Sequence, residues 1–511
     1  MKRAIGLMAL AALSAGVYLM FAFARGALGF PLDDAWIHQV YARNLGTRGE
    51  FAFFPGQPSA GSTSPLWTIL LSIGYLFPLD FRAWTYLVGI VLLAASALVI
   101  SRFTFHVSRF TSHVSRFTSH VSRLTFPLSF VLRPSSFVFP LFLLFEWHLV
   151  WSAVSGMEIL LFIFLSLVLL ERFYARERAW LIGLLAGLLM LTRPEGIVLA
   201  ALIALGMAFD RDTQSTIRNT QYVVRTAYCV SVLVLVVLPY LAFNWMVSGA
   251  LFPNTFYAKS AEYAELFARA PFVVRWFELL LVPFVGAQIL LLPGLVYSVI
   301  ALARARAWRA LIPVAWILLL PMLYALRLPV AYQHGRYEMP IIPFIVVYGI
   351  WGTSLLLARI KNFVVRATWT LATVATLIAF WLLGAAQYAT DVAIIDCEMV
   401  QTARWVAAHA REETVIAAHD IGALGYFYPR PFIDLAGLVS PEVIPFIRDE
   451  NRLREYLFSR QATWVIVFPG WYPSFDADSR FVPVYRTNCA LTRAAGEKNM
   501  VVYEIRLTAS R

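Results

Sequence analysis

The sequence predicts an all-α polytopic membrane protein with a small C-terminal α/β domain. Three observations lead there. The 511 residues are 60% hydrophobic and only 14% charged, where soluble domains carry about 25% charged residues. Apolar runs recur from residue 4 to residue 388, and mean hydropathy is +0.69. Residues 389–511 are ordinary in polarity and long enough for one small domain. The net charge of +12 then reports Arg-rich loops beside a membrane, not nucleic-acid binding.

A spanning helix needs about 20 apolar residues. The runs that qualify, or nearly so, are 4–24, 84–101, 128–148, 158–171, 180–192, 196–209, 226–246, 276–301, 311–326, 340–358 and 368–388. This gives about eleven crossings and a transmembrane domain over 1–388. The first run follows Lys2 and Arg3 and exceeds the core of a signal peptide, so it reads as an uncleaved helix. Residues 66–78 are apolar but short and stop at Pro78, which suggests a juxtamembrane or re-entrant segment.

Lys and Arg sort the loops. Arg172, Arg176 and Arg178 mark one cytoplasmic loop, and Arg211, Arg218 and Arg225 a second. Arg304, Arg306 and Arg309 mark a third, and Arg359, Lys361 and Arg366 a fourth. Alternation places the first loop (25–65), the turns at 155–158 and 192–196, the loops 247–275 and 327–339, and the tail on the opposite side. The expectation is a plasma (inner) membrane protein with a cytoplasmic N-terminus and an exoplasmic C-terminal domain.

Residues 102–126 form a near-perfect seven-residue repeat, from Arg102-Phe103-Thr104-Phe105-His106-Val107-Ser108 onward. It reads as a tandem expansion inserted in a tolerant cytoplasmic loop, with a basic membrane-surface helix as the alternative. The seven-residue spacing of His106, His113 and His120 is not a usual metal-ligand spacing. Of the three cysteines, Cys397 and Cys489 both fall in the tail and could pair if it is exoplasmic.

The expected outer side gathers polar groups at helix ends. Asp33 and Asp34 open Asp33-Asp34-Ala35-Trp36-Ile37-His38-Gln39-Val40-Tyr41, just past the first span. Such a pair can simply end the helix in water. It can also take a proton from a hydroxyl, because adjacent carboxylates suppress each other's ionisation, or hold a divalent cation. Glu158, in Ser155-Gly156-Met157-Glu158, either stabilises a helix N-terminus or faces the same cavity as a second acid. Arg193, in Thr192-Arg193-Pro194-Glu195-Gly196, either pairs with Glu195 or faces a phosphate. Pro253-Asn254-Thr255-Phe256-Tyr257-Ala258-Lys259 reads as an interfacial aromatic belt with a snorkelling lysine. Arg336, in His334-Gly335-Arg336-Tyr337-Glu338-Met339-Pro340, is the best phosphate ligand, since a guanidinium offers forked donors and stays charged near lipid; an interfacial anchor is the alternative. In the tail, strands are expected at 414–419, 432–435, 463–468, 481–485 and 500–505.

Taken together and in order, these segments resemble the GT-C glycosyltransferases that use polyprenyl-phosphate sugars, closest to arabinofuranosyltransferase-like and mannosyltransferase-like bacterial members. Asp33-Asp34-Ala35-Trp36, Thr63-Ser64-Pro65-Leu66-Trp67, Ser155-Gly156-Met157-Glu158, Leu191-Thr192-Arg193-Pro194-Glu195-Gly196, Pro253 to Lys259, Arg336-Tyr337-Glu338-Met339-Pro340, Asp420 to Tyr426 and Asp434-Leu435-Ala436-Gly437-Leu438 carry the likeness. The repeat at 102–126 departs from it. The resemblance implies that a sugar passes from a polyprenyl-phosphate donor to a hydroxyl of a glycan, lipid or protein acceptor in the cell envelope. Asp33 or Asp34 would be the base. Arg336, Lys259 and Arg193 would supply charge for the phosphate, with Glu158, Asn254, Tyr257 and His334 completing the substrate site. A divalent cation helps in some relatives and not in others; Asp33, Asp34 and Glu158 are the residues that would hold one. The alternatives are a transporter or flippase for a lipid-linked precursor, and a non-catalytic decayed copy. Against transport, the charges cluster at helix ends and no two-fold internal repeat is visible.

Overall fold

The computed structural model describes residues 2–77, 79–118, 137–208 and 216–506. Among these, seven helices are long and apolar enough to cross a membrane: Lys2–Ala24, Phe81–Thr104, Thr220–Ser248, Ala287–Arg304, Trp308–Arg327, Tyr332–Arg359 and Phe363–His409. The pair Trp147–Val154 and Ile159–Tyr174, bent by 118°, makes an eighth if it is one broken span. The protein is therefore a multi-pass membrane protein. Its outward apolar side chains agree: Met246 is 83% exposed, and Leu235, Val223 and Leu371 are also bare, as a lipid-facing surface requires.

Departures from the expected spans have local causes. The run 276–301 is broken, because Pro283 and Gly286, the latter at φ 137°, end the helix Phe272–Leu281 before Ala287–Arg304 begins. Val273, Val274, Phe277 and Leu281 line one exposed apolar stripe on that first piece, which suits it to lie along the interface. Helices Ala179–Thr192 and Gly196–Ala208 are too short to span alone. In 128–148, residues 128–136 lie outside the described residues, and the rest divides into Val138–Phe145 and Trp147–Val154 at Glu146, whose side chain accepts from the Leu149 N–H. In 66–77, Pro65–Ser72 is a short helix with proline in its first turn, and it packs on Asp33–Arg48; Pro78 lies outside the described residues. The repeat at 102–126 begins as a continuation of the helix Phe81–Thr118, not as a loop; residues 119–126 lie outside the described residues.

The tail follows its expected strands. After a hairpin in the first loop, β1 (Ala52–Phe54) with β2 (Gln57–Pro58), the remaining strands are β3 (Ile416–Ala418), β4 (Ile433–Asp434), β5 (Trp464–Val467), β6 (Phe481–Arg486) and β7 (Val501–Ile505). They form one five-stranded sheet in the order β4-β3-β5-β7-β6. β3 runs parallel to both its neighbours, and β7 antiparallel to both of its own. The helix that begins at Phe363 passes through residue 388 without a break and reaches His409. A Cys397–Cys489 disulfide, 92 residues apart in sequence, ties this helix to the tail. Closing so long a loop restricts the unfolded chain, so Cys489→Ser is expected to lower the tail's stability by about 2–4 kcal/mol. Thermal unfolding with and without reductant checks this, and equal midpoints would contradict it.

Candidate functional site

The first loop forms the floor of the site. Asp33–Arg48 is a helix with both carboxylates in its first turn, where they complement the exposed N–H groups. It ends at Gly49, whose φ of 71° allows its N–H to close on the Asn44 and Leu45 carbonyls. Successive helical residues point about 100° apart, and this separates the two acids.

Asp33 turns to the tail. Its Oδ2 accepts from the Gly422 N–H at 2.6 Å and its Oδ1 from the Ala423 N–H at 2.8 Å. These are the first N–H groups of the short helix Gly422–Phe427. Arg43, on the same first-loop helix, donates to the carbonyls of Tyr426 (2.6 Å) and Gly425 (3.2 Å) at the other end of that short helix. The first loop thus grips one tail helix at both ends. A Cβ on Gly422 would meet the Asp33 carboxyl at 2.8 Å, which explains glycine there.

Burial pushes the Asp33 carboxyl up to about 6, against the lowering effect of its two backbone N–H bonds. A native carboxyl that binds its proton more tightly than the unfolded chain, where Asp titrates near about 3.9, contributes stability fully below that value. The contribution is lost as pH rises through about 6. The stability of wild type minus that of Asp33→Asn should therefore fall from pH 4 to pH 6.5, read by thermal unfolding in detergent. A difference that grows over that range would contradict the burial of this acid.

Asp34 turns the other way, into a cavity lined by residues of the first loop, the membrane bundle and the tail. Its Oδ2 accepts from Arg336 Nη2 and from Lys259 Nζ, the latter at 3.3 Å. Arg336 Nη2 and Lys259 Nζ also reach the Tyr337 hydroxyl, at 3.0 and 3.3 Å. Burial acts to raise the Asp34 carboxyl, but the charges of Lys259 and Arg336 together outweigh it and hold the group well below the usual carboxylate range. Burial likewise lowers the Lys259 ammonium, but Asp34 overrides it and pushes the group up to about 12. Arg336 is 2% exposed, yet its Nε and Nη1 have no protein partner. Its segment is built for delivery: Gln333, His334 and Gly335 all have φ between 56° and 65°. Non-glycine residues hold that left-handed form at a cost, so something must fix them. His334 supplies this, with Nε2 2.7 Å from Asp391 Oδ2 and its ring between Trp147 and Trp151.

Across the cavity, the Ser155-Gly156-Met157-Glu158 turn depends on Gly156 at φ 76°, where a Cβ would press on Phe30. Trp67 Nε1 donates to the Gly156 carbonyl at 2.9 Å and fixes the turn to the short helix Pro65–Ser72. Glu158 Oε2 lies 3.2 Å from His38 Nε2, and its Oε1 lies 3.5 Å from Arg193 Nη1. Arg193 also donates to Tyr324 Oη at 2.7 Å and lies 3.6 Å from Glu195. From the tail, Asp434 bends 434–440 by accepting from the Ala436 and Val439 N–H groups, and Leu438 of this loop reaches the cavity wall.

The structure thus brings Asp34, Glu158, Arg193, Lys259 and Arg336 to one cavity. It places the other expected site residues outside the lining. Asp33 faces the tail, and His334 is a wedge behind Arg336. Asn254 is buried with its N–H on the Ala60 carbonyl, and Tyr257 points outward, 38% exposed. Sequence reading missed His38, Tyr324, Arg327 and Tyr337, which line the cavity; His38 was signalled only by its spacing of one turn from Asp34. Nor do Asp33, Asp34 and Glu158 assemble as cation ligands. Among the described residues, the one set of three ligand atoms within 4.8 Å of one another is Cys397, Glu398 and Cys489, whose sulfurs are bonded together.

This architecture, a broken-helix membrane bundle whose first loop carries the acids and whose tail closes over them, is a fold shared with the solved structures of ArnT and AglB. The chain is similar over 96% of its length to ArnT from Cupriavidus metallidurans in the apo state, covering 97% of that chain at 15% identity and TM-score 0.54. ArnT bound to undecaprenyl phosphate aligns over 98% of both chains, at 15% identity and TM-score 0.56. The archaeal oligosaccharyltransferase AglB from Archaeoglobus fulgidus, in complex with an inhibitory peptide and a dolichol-phosphate, covers 90% of this chain and 69% of its own, at 11% identity and TM-score 0.55. Residues 394–503 match a family model described as a domain of unknown function, DUF8728. No curated protein matches the sequence.

Proposed function

We propose that the protein transfers a sugar from a polyprenyl-phosphate donor to a hydroxyl of a cell-envelope acceptor. The observation that carries this is a buried cavity in which one carboxylate, Asp34, is shared by two cations while Arg336 keeps two nitrogens without a protein partner. A buried guanidinium with idle donors is under-satisfied and favours an anion of matching geometry, as a phosphate is. The donor phosphate binds Arg336 and Lys259, and Tyr337 keeps their alignment.

The chemistry follows from the charges. Asp34 at rest is neutralised by its cations and is a poor proton acceptor. A phosphate that takes over Arg336 and Lys259 relieves that pairing, so the carboxylate becomes more basic when the donor is in place. The acceptor oxygen then loses its proton to Asp34 and bonds to the sugar's anomeric carbon. The bond from that carbon to the phosphate oxygen breaks, and the charge left on the phosphate stays between Arg336 and Lys259. Glu158 and Arg193 hold the opposite wall. Attack from the face opposite the phosphate gives inversion.

The site lies on the outer face of the inner membrane, with the N-terminus in the cytoplasm. Loop charges support this orientation, and so does the tail disulfide, which suits an oxidising compartment. ArnT and AglB are described with undecaprenyl phosphate and dolichol-phosphate bound, and the same lipid class suits this cavity. The test is transfer of radiolabelled sugar from a panel of polyprenyl-phosphate pentoses and hexoses to envelope extracts by the purified protein. Label passing to an acceptor only with active protein supports the reading. No transfer from any donor, with the protein folded and lipid-bound, would overturn it.

A further inference from the structure

We infer that His38 is a second proton-transfer residue of the site, taking over the proton that Asp34 removes from the acceptor. This rests on the glycosyl-transfer reading above and adds a residue to it. His38 follows Asp34 by one helical turn, so the two lie on the same face of the first-loop helix, and both line the cavity. The imidazole is 5% exposed. Its Nε2 lies 3.2 Å from Glu158 Oε2 as a close charge contact, and its Nδ1 has no protein partner. A carboxylate this close to one ring nitrogen favours the proton there and leaves the other nitrogen as an acceptor. Among the described residues lining the cavity, His38 is the one imidazole.

The need for a second group comes from the charges around Asp34. Arg336 and Lys259 stay within reach of it after the phosphate binds, so Asp34 holds the proton weakly and passes it to a better acceptor. Passing it to His38 Nδ1 gives an imidazolium against Glu158 and restores the Asp34 carboxylate. The balance is simple: the acceptor O–H bond breaks, the proton goes through Asp34 to Nδ1, the glycosidic bond forms and the bond to phosphate breaks. The imidazolium then returns its proton to water or to the departing phosphate. The charged and titratable groups around this imidazole are Asp34 on its own helix, Glu158 and Arg193 across the cavity, and Lys259, Arg336 and Tyr337 on the remaining wall.

The experiment uses full-length protein in detergent, with undecaprenyl phosphate as the binding probe and the active donor of the transfer assay as substrate. His38→Gln and Glu158→Gln are compared with wild type from pH 5 to pH 9. Both variants should bind the lipid within about twofold of wild type and lose about 10- to 100-fold in turnover, and His38→Gln should change the pH profile. Wild-type turnover and an unchanged pH profile in His38→Gln would overturn the role of His38 while leaving the glycosyl-transfer reading intact. A wild type that binds the lipid but transfers nothing would overturn both. Ring 15N shifts of histidine-labelled wild type give a check independent of the variants: His38 should carry its proton on Nε2, and a proton on Nδ1 would overturn the inference.

Discussion

Asp34→Asn is expected to lower turnover by about 10²- to 10⁴-fold, the range that a positioned general base supplies, while binding undecaprenyl phosphate more tightly than wild type. The two effects have one cause. Asp34 is the counter-charge of Arg336 and Lys259 in the resting site, so it competes with the donor phosphate for them. The amide cannot take a proton and no longer competes. Most inactivating substitutions weaken ligand binding or leave it alone, so tighter binding with lost turnover separates this account from simple damage. The two cations left without their carboxylate also destabilise the empty protein, and added lipid should restore the melting temperature. Isothermal titration and thermal unfolding with and without lipid read both. Weaker lipid binding by Asp34→Asn would contradict the shared-cation arrangement.

Arg336→Lys is expected to weaken undecaprenyl phosphate binding at least about tenfold and to lower turnover by about 10²- to 10³-fold, as loss of a charge-stabilising donor does. Charge is conserved in this variant, so geometry is what it removes. Arg336 uses Nη2 on both Asp34 and Tyr337 and keeps Nε and Nη1 in reserve. A lysine ammonium is a point charge that cannot satisfy the carboxylate and a phosphate along separate directions. Lipid affinity and turnover equal to wild type would show that only charge matters here.

Much of this site was legible in the sequence because it lies at helix ends. Glu158, Arg193, Lys259 and Arg336 each stand beside a turn marked by Gly or Pro, and loop charge placed them on one side. The tail's strands were legible from short β-branched and aromatic runs bounded by turns. The division between Asp33 and Asp34 was not, although helical geometry turns neighbours apart; which one meets the tail depends on Gly422, 389 residues away. His334 misled for a related reason. It is two residues from Arg336, but a left-handed turn at 333–335 sends it behind the site. Asn254 and Tyr257 share a motif with Lys259 on one short helix, and only one face of that helix meets the cavity. The run 276–301 was apolar enough to read as one span, and its break rests on Pro283 and Gly286.

The most direct test is an experimental structure of the protein with a polyprenyl monophosphate bound. The account predicts the phosphate oxygens within hydrogen-bond reach of Arg336 and Lys259, and Asp34 released from at least one of them. A phosphate seated elsewhere on the protein, with the Asp34, Arg336 and Lys259 cluster unchanged, would contradict it.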